Sequence, residues 1–371
     1  MKIAIVYDWL DKWGGVERLL LILAEMYPNA WFYTSYFDPA KAAWAKNLNI
    51  KTSYIERMPD FIKKNRKSSI PFYPFAFESF DFSGYDLVIS ASSGFAKGII
   101  TRPPTKHICL LLTPTRYLWI HPDEYKTNTP WLKPYVKYLK KWDRIAAQRP
   151  DTIISISKTV QSRVRKAYKR DSVVIYPPFN TNYWSEIKSK NKNQKNQLNT
   201  KYQILNTEYY LIVSRLEAYK KVKLAIQTFN NLSNKRLIIV GTGSQLNELK
   251  NLAKSNIFFL ADATDKELGL YYSNAQGLIM PQEEDFGLVA LEAQFFGCPV
   301  ISFRKGGALE TVIENQTGIF FDKQTVDSLS DCINQYDKIK ISIKKKMEVN
   351  GPINCQRFSK EEFITKIQNI L

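Results

Sequence analysis

The segment Pro281 to Ser302, PQEEDFGLVALEAQFFGCPVIS, places two carboxylates, Glu284 and Glu292, eight positions apart across a Phe-Gly that opens an apolar helix. Glu284 then sits in the loop and Glu292 about a turn inside the helix. The amides of Gly287, Leu288 and Val289 have no intrahelical partner and favour an anion above the loop. This chemistry suits a phosphate flanked by hydroxyls. The plainer alternative makes Glu284 and Asp285 complements of the helix dipole and Glu292 a solvated side chain, but Glu292 lies among Leu291, Ala293, Phe295 and Phe296, where an unused charge is costly.

A pair of cations offers the complementary charge. Arg215 follows an apolar strand and Lys220 stands five residues on, at the start of a helix. Both then belong to the carboxyl edge of a sheet, where doubly wound folds bind ligands, and two fixed cations stabilise a diphosphate leaving group without a metal. In isolation the same spacing describes a solvated pair. Gly14 and Gly15, between the strand KIAIVY and the helix VERLLLILAEM, permit close backbone approach to a diphosphate, or form a plain turn. They depart from the G-x-G-x-x-G dinucleotide fingerprint, which argues against a nicotinamide enzyme. Gly241 and Gly243 end another strand in a G-x-G turn of low specificity.

Short apolar strands alternate with amphipathic helices, which predicts an α/β class with doubly wound parallel sheets. The expected strands of the first half are Lys2 to Tyr7, Ala30 to Thr34, Asp86 to Ser90, His107 to Leu112, Thr152 to Ser155 and Val173 to Tyr176, with helices from about Val16, Pro134 and Lys158. In the second half they are Tyr209 to Ser214, Arg236 to Gly241, Ile257 to Leu260, Gly277 to Met280, Pro299 to Phe303 and Gly318 to Phe321. Helices begin there near Lys220, Ser244, Asp265, Gly287 and Val326. YPPFNTNYW, Tyr176 to Trp184, and the Lys/Asn-rich stretch to Gln203 read as a linker. The expected domains are residues 1–180 and 181–354, with a terminal helix, about 355–371, returning to the first.

A chain of 371 residues exceeds what one core usually holds. No apolar run spans a bilayer and no signal peptide is evident, so a cytoplasmic location is expected. Four scattered cysteines, without a C-x-x-C pair, suit reduced thiols and no metal site. The net charge of +18 invites a nucleic-acid partner, yet no recognition motif accompanies it, and the lysines come with abundant Asn, Ile and Tyr. A basic face also suits anionic lipid, at roughly 1 kcal/mol per residue.

The string E284-D-F-G-L-V-A-L-E292, with G297-C-P-V and K305-G-G-A-L-E-T, resembles the E-x7-E signature of retaining glycosyltransferases of family 4. These enzymes have the GT-B architecture, two Rossmann-like domains facing across a cleft, and move a sugar from a nucleotide diphosphate. Val213 to Phe229 resembles the family's G-R-L-x-x-x-K-G pattern, with Ser214 in place of glycine and Lys221 as the reserve for Lys220. Gly14-Gly15-Val16-Glu17 resembles its GG-x-E turn, and Phe258 to Ala275 its nucleobase segment. The combination MPDF, FESFDFSGYDLVIS, TPTRYLW, PQEEDFG and KGGALETV resembles the lipopolysaccharide and O-antigen mannosyltransferase branch.

The resemblance implies that Glu292 holds the ribose hydroxyls, Glu284 a hydroxyl of the transferred sugar, and Arg215 with Lys220 the diphosphate. Amides at Phe286, Gly287 and Leu288 would bind sugar and phosphates, Gly14 and Gly15 would close from the other domain, and Gly241 and Gly243 would line the donor. Asp8, Leu112 and Arg116 are acceptor-side candidates. Leu112 replaces a histidine usual in the branch, and its side chain makes no hydrogen bonds; His107 reads as structural, and His121 is not expected to replace it. The basic cluster Lys63, Lys64, Arg66 and Lys67, followed by aromatics to Tyr85, reads either as an interfacial segment or as a loop packed on its domain.

The expected function is metal-independent, cofactor-free retaining transfer of a hexose, mannose from GDP-mannose first, to a lipid-linked or glycan acceptor, with an anionic membrane surface as a further partner and no nucleic acid. A UDP-sugar-dependent transferase and a catalytically impaired sugar-nucleotide-binding protein are the alternatives.

Overall fold

The computed structural model describes residues 1–125, 127, 129–192, 207–261 and 263–371. The chain divides into two compact units, Met1–Tyr176 with Lys366–Leu371, and Pro177–Thr365. Each is built on a parallel sheet whose central strands are short apolar runs covered on both faces, the expected outcome when crossover helices flank both sides.

In the first unit β1 (Ile3–Tyr7), β2 (Trp31–Thr34), β3 (Asn49–Thr52), β4 (Leu87–Ser92), β5 (Lys106–Leu111), β6 (Thr152–Ser155) and β7 (Val173–Val174) pair in the order β3-β2-β1-β4-β5-β6-β7. All pairings are parallel, for example Ile5 with Phe32 on one side and with Ile89 on the other. The order reverses direction between β1 and β4. The sequence reading lacked β3, because NIKT is an edge strand with alternately exposed, polar positions. The core gathers Val6, Tyr33, Phe77, Phe80, Phe82, Val88, Phe95 and Trp142.

The second unit holds β8 (Tyr209–Val213), β9 (Arg236–Val240), β10 (Ile257–Leu260), β11 (Gly277–Met280), β12 (Val300–Phe303) and β13 (Gly318–Phe321), ordered β10-β9-β8-β11-β12-β13. Here the reversal falls between β8 and β11. Ile212, Phe229, Ile239, Ile279, Ile301 and Ile333 form its core. Burying a side chain the size of Phe229 contributes about 1.5–3 kcal/mol.

Two expectations are corrected. Residues Thr181–Lys192 form a helix, not a linker. Its composition is polar, but Trp184 and Ile187 are buried, and Trp184 stacks on Phe179 and meets Phe296 edge-on. The remainder of the Lys/Asn-rich stretch, 193–203, lies outside the described residues. The carboxyl-terminal return is shorter than 355–371: residues to Thr365 stay with the second unit, and Lys366–Leu371 join the first, where Lys106 Nζ donates to the carbonyls of Ile370 (2.9 Å) and Leu371 (3.1 Å). The helix expected from Val326 runs to Gln356. Among the described residues no helix is long and apolar enough to cross a membrane.

Candidate functional site

The point where strand order reverses opens a crevice at the carboxyl ends of the two central strands. In the second unit those ends are Val213 of β8, which leads to Arg215 and Lys220, and Met280 of β11, which leads to Glu284. The structure brings them together. Lys220 Nζ donates to Glu284 Oε1 in an ion pair whose side chains are only 13% and 17% exposed. Gln282 Nε2 donates to the same oxygen at 2.8 Å. Burial pushes the Glu284 carboxyl upward, but the charge and hydrogen bond of Lys220, with the Gln282 amide, more than offset this and hold it below the usual carboxylate range.

Arg215 is exposed, and its guanidinium donates to the Tyr219 hydroxyl at 2.6 Å. The Tyr219 ring lies near both cations, 6.0 Å from Arg215 and 5.5 Å from Lys220. Lys221, the reserve assignment, is instead in the left-handed conformation at the start of helix Val222–Asn231. Lys220 is therefore the residue that meets Glu284.

Glycines fix both loops by letting backbones approach. A Cβ on Gly241 would lie 2.0 Å from the Ser214 carbonyl oxygen, and one on Gly243 2.4 Å from that of Leu216. Leu216 N–H donates to the Thr242 carbonyl at 2.8 Å. These glycines thus seat the Arg215 loop. Gly306 and Gly307 do the same for the other loop: their Cβ positions fall 2.4 Å from the Glu284 oxygen and from the Phe286 Cα, and Gly307 N–H donates to the Glu284 carbonyl at 2.8 Å.

Gly287, with φ 96°, precedes helix Leu288–Phe295, whose first amides lack intrahelical partners. Phe286 lies just before it with a buried ring set edge-on to Phe358. Glu292 is buried and accepts from the Tyr272 hydroxyl at 2.9 Å. The sequence reading missed Gln282, Tyr219 and Tyr272; each belongs to the site through a contact that spacing alone does not carry.

The first unit differs. Asp8, read as an acceptor-side candidate, is fully buried, and its carboxylate is engaged by its own fold. Oδ1 accepts from the amides of Phe95 and Ala96, both at 2.7 Å, and Oδ2 from the Ser93 amide at 2.8 Å. Leu112 is buried too, its N–H extending the ladder to the Ser92 carbonyl at 2.9 Å. Arg116 is half-buried and opens the short helix Arg116–Trp119. Gly14 is extended, so glycine is not required there by φ, and Gly15 begins helix Gly15–Met26. The nearby Glu17 is buried, accepting from the Tyr7 hydroxyl at 3.0 Å.

His107 is buried against the Ser90 hydroxyl at 2.8 Å; burial first, then the Arg170 and Arg149 charges, push its pKa down to about 3. His121 Nδ1 stands 3.4 Å from a Glu124 carboxylate oxygen. A buried ion pair absent from the sequence reading, Lys97 with Asp143 at 2.6 Å, also receives Thr115, Trp119 and Tyr168.

The basic, aromatic segment follows its packed alternative over most of its length. Tyr73, Phe77, Phe80, Phe82 and Tyr85 are core residues, Arg66 is bound to Asp11 at 2.8 Å, and Lys63 and Lys64 pair with Asp60. Phe61 and Phe75 remain exposed, at 73% and 60%.

Residues 192–351 match the family model described as glycosyl transferases group 1. The chain is 27% identical over 249 residues to the alpha-1,3/1,6-mannosyltransferase ALG2 of Dictyostelium discoideum, covering 58% of this chain and 59% of that protein. It is 34% identical over 110 residues to a GDP-mannose-dependent alpha-(1-6)-phosphatidylinositol monomannoside mannosyltransferase of Mycobacterium tuberculosis, covering 26% and 29%. The chain thus spans little more than half the length of the first of these curated relatives and less of the second.

Among solved structures, Anabaena HepE in complex with UDP and glucose matches with TM-score 0.71 at 18% identity, over 100% of this chain and 99% of that one. Sucrose-phosphate synthase from Thermosynechococcus elongatus matches with TM-score 0.74 at 17% identity, over 100% and 98%. At such identities the likeness shows the fold. The chain therefore has the GT-B fold of two Rossmann-like units, and the match to glycosyl transferases group 1 falls on its second half.

Proposed function

We propose that the protein is a family 4 retaining glycosyltransferase that moves a hexose, mannose from GDP-mannose, to a lipid-linked or glycan acceptor. The observation that carries this reading is the cluster of Arg215, Tyr219, Lys220, Gln282 and Glu284 at the strand-order reversal of the second unit. The mannosyltransferase names of the similar proteins support the donor, and the resemblance to the O-antigen branch supports the acceptor class.

In this reading Arg215 and Lys220 bind the diphosphate and stabilise the charge that gathers on it as the bond from the anomeric carbon to the β-phosphate oxygen breaks. That oxygen keeps the bonding electrons. An acceptor hydroxyl attacks the anomeric carbon from the same face and passes its proton to a phosphate oxygen, which completes retention without an imidazole base. Glu284 accepts from a sugar hydroxyl and Glu292, oriented by Tyr272, from the ribose. The amides of Phe286, Gly287 and Leu288 serve the sugar and phosphates. Two side-chain cations supply the positive charge for which other enzymes use a metal ion. A lipid-linked acceptor would bring the reaction to the cytoplasmic face of a membrane, a role supported by exposed Phe61 and Phe75 and by the net charge of +18.

Thermal denaturation against a set of nucleotide sugars, with and without chelator, tests the donor. A ligand at a hundred times its dissociation constant stabilises by about 2.7 kcal/mol. GDP-mannose should raise the melting temperature, chelator should not alter the rise, and a labelled hexose should pass to a polyprenyl-linked acceptor with retained anomeric configuration. A response to UDP-sugars alone moves the assignment to the other donor, and binding without turnover on any acceptor defeats the transferase.

A further inference from the structure

We propose that Glu284 is an internal counter-anion by which the site prefers an intact nucleotide sugar to the nucleoside diphosphate left after transfer. The inference rests on the reading of Arg215 and Lys220 as the diphosphate's cations and adds a specificity role at that site. Its basis is an asymmetry between the two cations. Arg215 is exposed and held by a neutral group, the Tyr219 hydroxyl at 2.6 Å. Lys220 is mostly buried and bound to a carboxylate.

Both side-chain hydrogen bonds that reach Glu284 among the described residues, from Lys220 and from Gln282, end on Oε1. Gln282 is itself buried and brings an N–H without a charge, so it fixes the carboxylate on Lys220 and leaves its negative charge in place. A diphosphate that approaches Lys220 must share the ammonium with this carboxylate and sit beside a like charge in a partly desolvated site. An intact donor offsets that cost, because its sugar hydroxyls donate to Glu284. A free nucleoside diphosphate brings no such donor, and its terminal phosphate carries an additional negative charge. Arg215 binds either ligand without this competition. The pair thus weakens the product relative to the substrate and favours product departure.

Calorimetric titration of the full-length chain with GDP and with GDP-mannose, and with UDP and UDP-glucose in parallel, reads the preference directly. Glu284→Gln and Glu284→Ala should each bind the nucleoside diphosphate about tenfold tighter than the wild type, and the nucleotide sugar no tighter, so that the preference collapses. Lys220→Met should weaken both ligands. The two substitutions at 284 differ in shape, and circular dichroism shows which variants retain the fold. If Lys220→Met loses binding while neither folded Glu284 variant gains affinity for the diphosphate, the counter-anion role is overturned and the donor reading stands. If Lys220→Met binds both ligands as the wild type does, the donor reading falls and this inference with it.

Discussion

Asp8 and Glu284 occupy comparable places, each just past a central strand at the reversal point of its sheet, yet their surroundings are opposite. Asp8 faces three backbone amides of the Ser93–Ala96 segment and is sealed from solvent. Glu284 faces an ammonium and a side-chain amide and keeps some exposure. The first arrangement uses the crevice to close a loop, whereas the second leaves a charged pair at the mouth of the sheet. Topology names the crevice in both units, but the partners of the carboxylate decide what it does there. A carboxylate saturated by amides is a clamp, and one that shares a movable cation can exchange it for a ligand.

Removing each carboxylate in turn separates the two roles. Asp8→Ala should cost on the order of 3–5 kcal/mol, since it strands several buried amides, and urea denaturation would read the loss. An Asp8→Ala protein as stable as the wild type would remove the clamp. On the proposed function, Glu284→Ala should do the reverse, with a small change in stability and a turnover about a hundredfold lower, measured as hexose transfer at saturating donor. Equal turnover would place the sugar contact elsewhere.

Most of the architecture was legible because apolar strand runs and amphipathic helices are local signals. β11 and β12 followed from GLIM and PVISF alone. The exceptions were elements whose burial depends on distant partners. NIKT pairs with β2 only as an edge, and Thr181–Lys192 is helical because Trp184 and Ile187 reach a surface formed in part by Phe296. The site divides in the same way. The meeting of Lys220 with Glu284 was expected from their places beyond two strands and from the resemblance to the E-x7-E pattern. Gln282 was not, since an amide before a glutamate carries no signal by itself, nor was the role of Asp8, whose partners lie more than eighty residues away in sequence.

The glycines test how rigidly the second crevice is seated. Gly307→Ala sets a methyl group 2.4 Å from the Phe286 Cα, a backbone atom that cannot turn aside. Overpacking of this kind costs about 1–3 kcal/mol. The expected outcome is a lower melting temperature together with weaker nucleotide-sugar binding, because the displaced backbone carries Glu284. Gly14→Ala in the first unit should be milder, since its φ is ordinary and a Cβ meets only the far end of the Glu17 side chain, at 3.1 Å. A Gly14→Ala variant as damaged as Gly307→Ala would reverse this ranking.

Acid should separate the two units by the sign of their titrations. His107 has a folded-state pKa of about 3 against 6.5 for the free side chain, so below pH 6.5 the unfolded chain takes up a proton that the folded chain refuses. Its contribution to stability therefore declines as pH falls from 6.5 towards 3, by about 1.4 kcal/mol per pH unit within that window. Glu284 has a lowered pKa, so the stability from its pair with Lys220 is present above the ordinary carboxylate range and is lost only as pH falls through the depressed value. The first unit should thus loosen before the pair in the second unit breaks. Hydrogen exchange resolved by segment between pH 6.5 and 4.5 should show β4 and β5 losing protection ahead of the loop at Glu284, and His107→Gln should flatten that dependence. Loss of protection at Glu284 first, or an unchanged slope in the variant, would show that the buried imidazole does not set the acid limit of its unit.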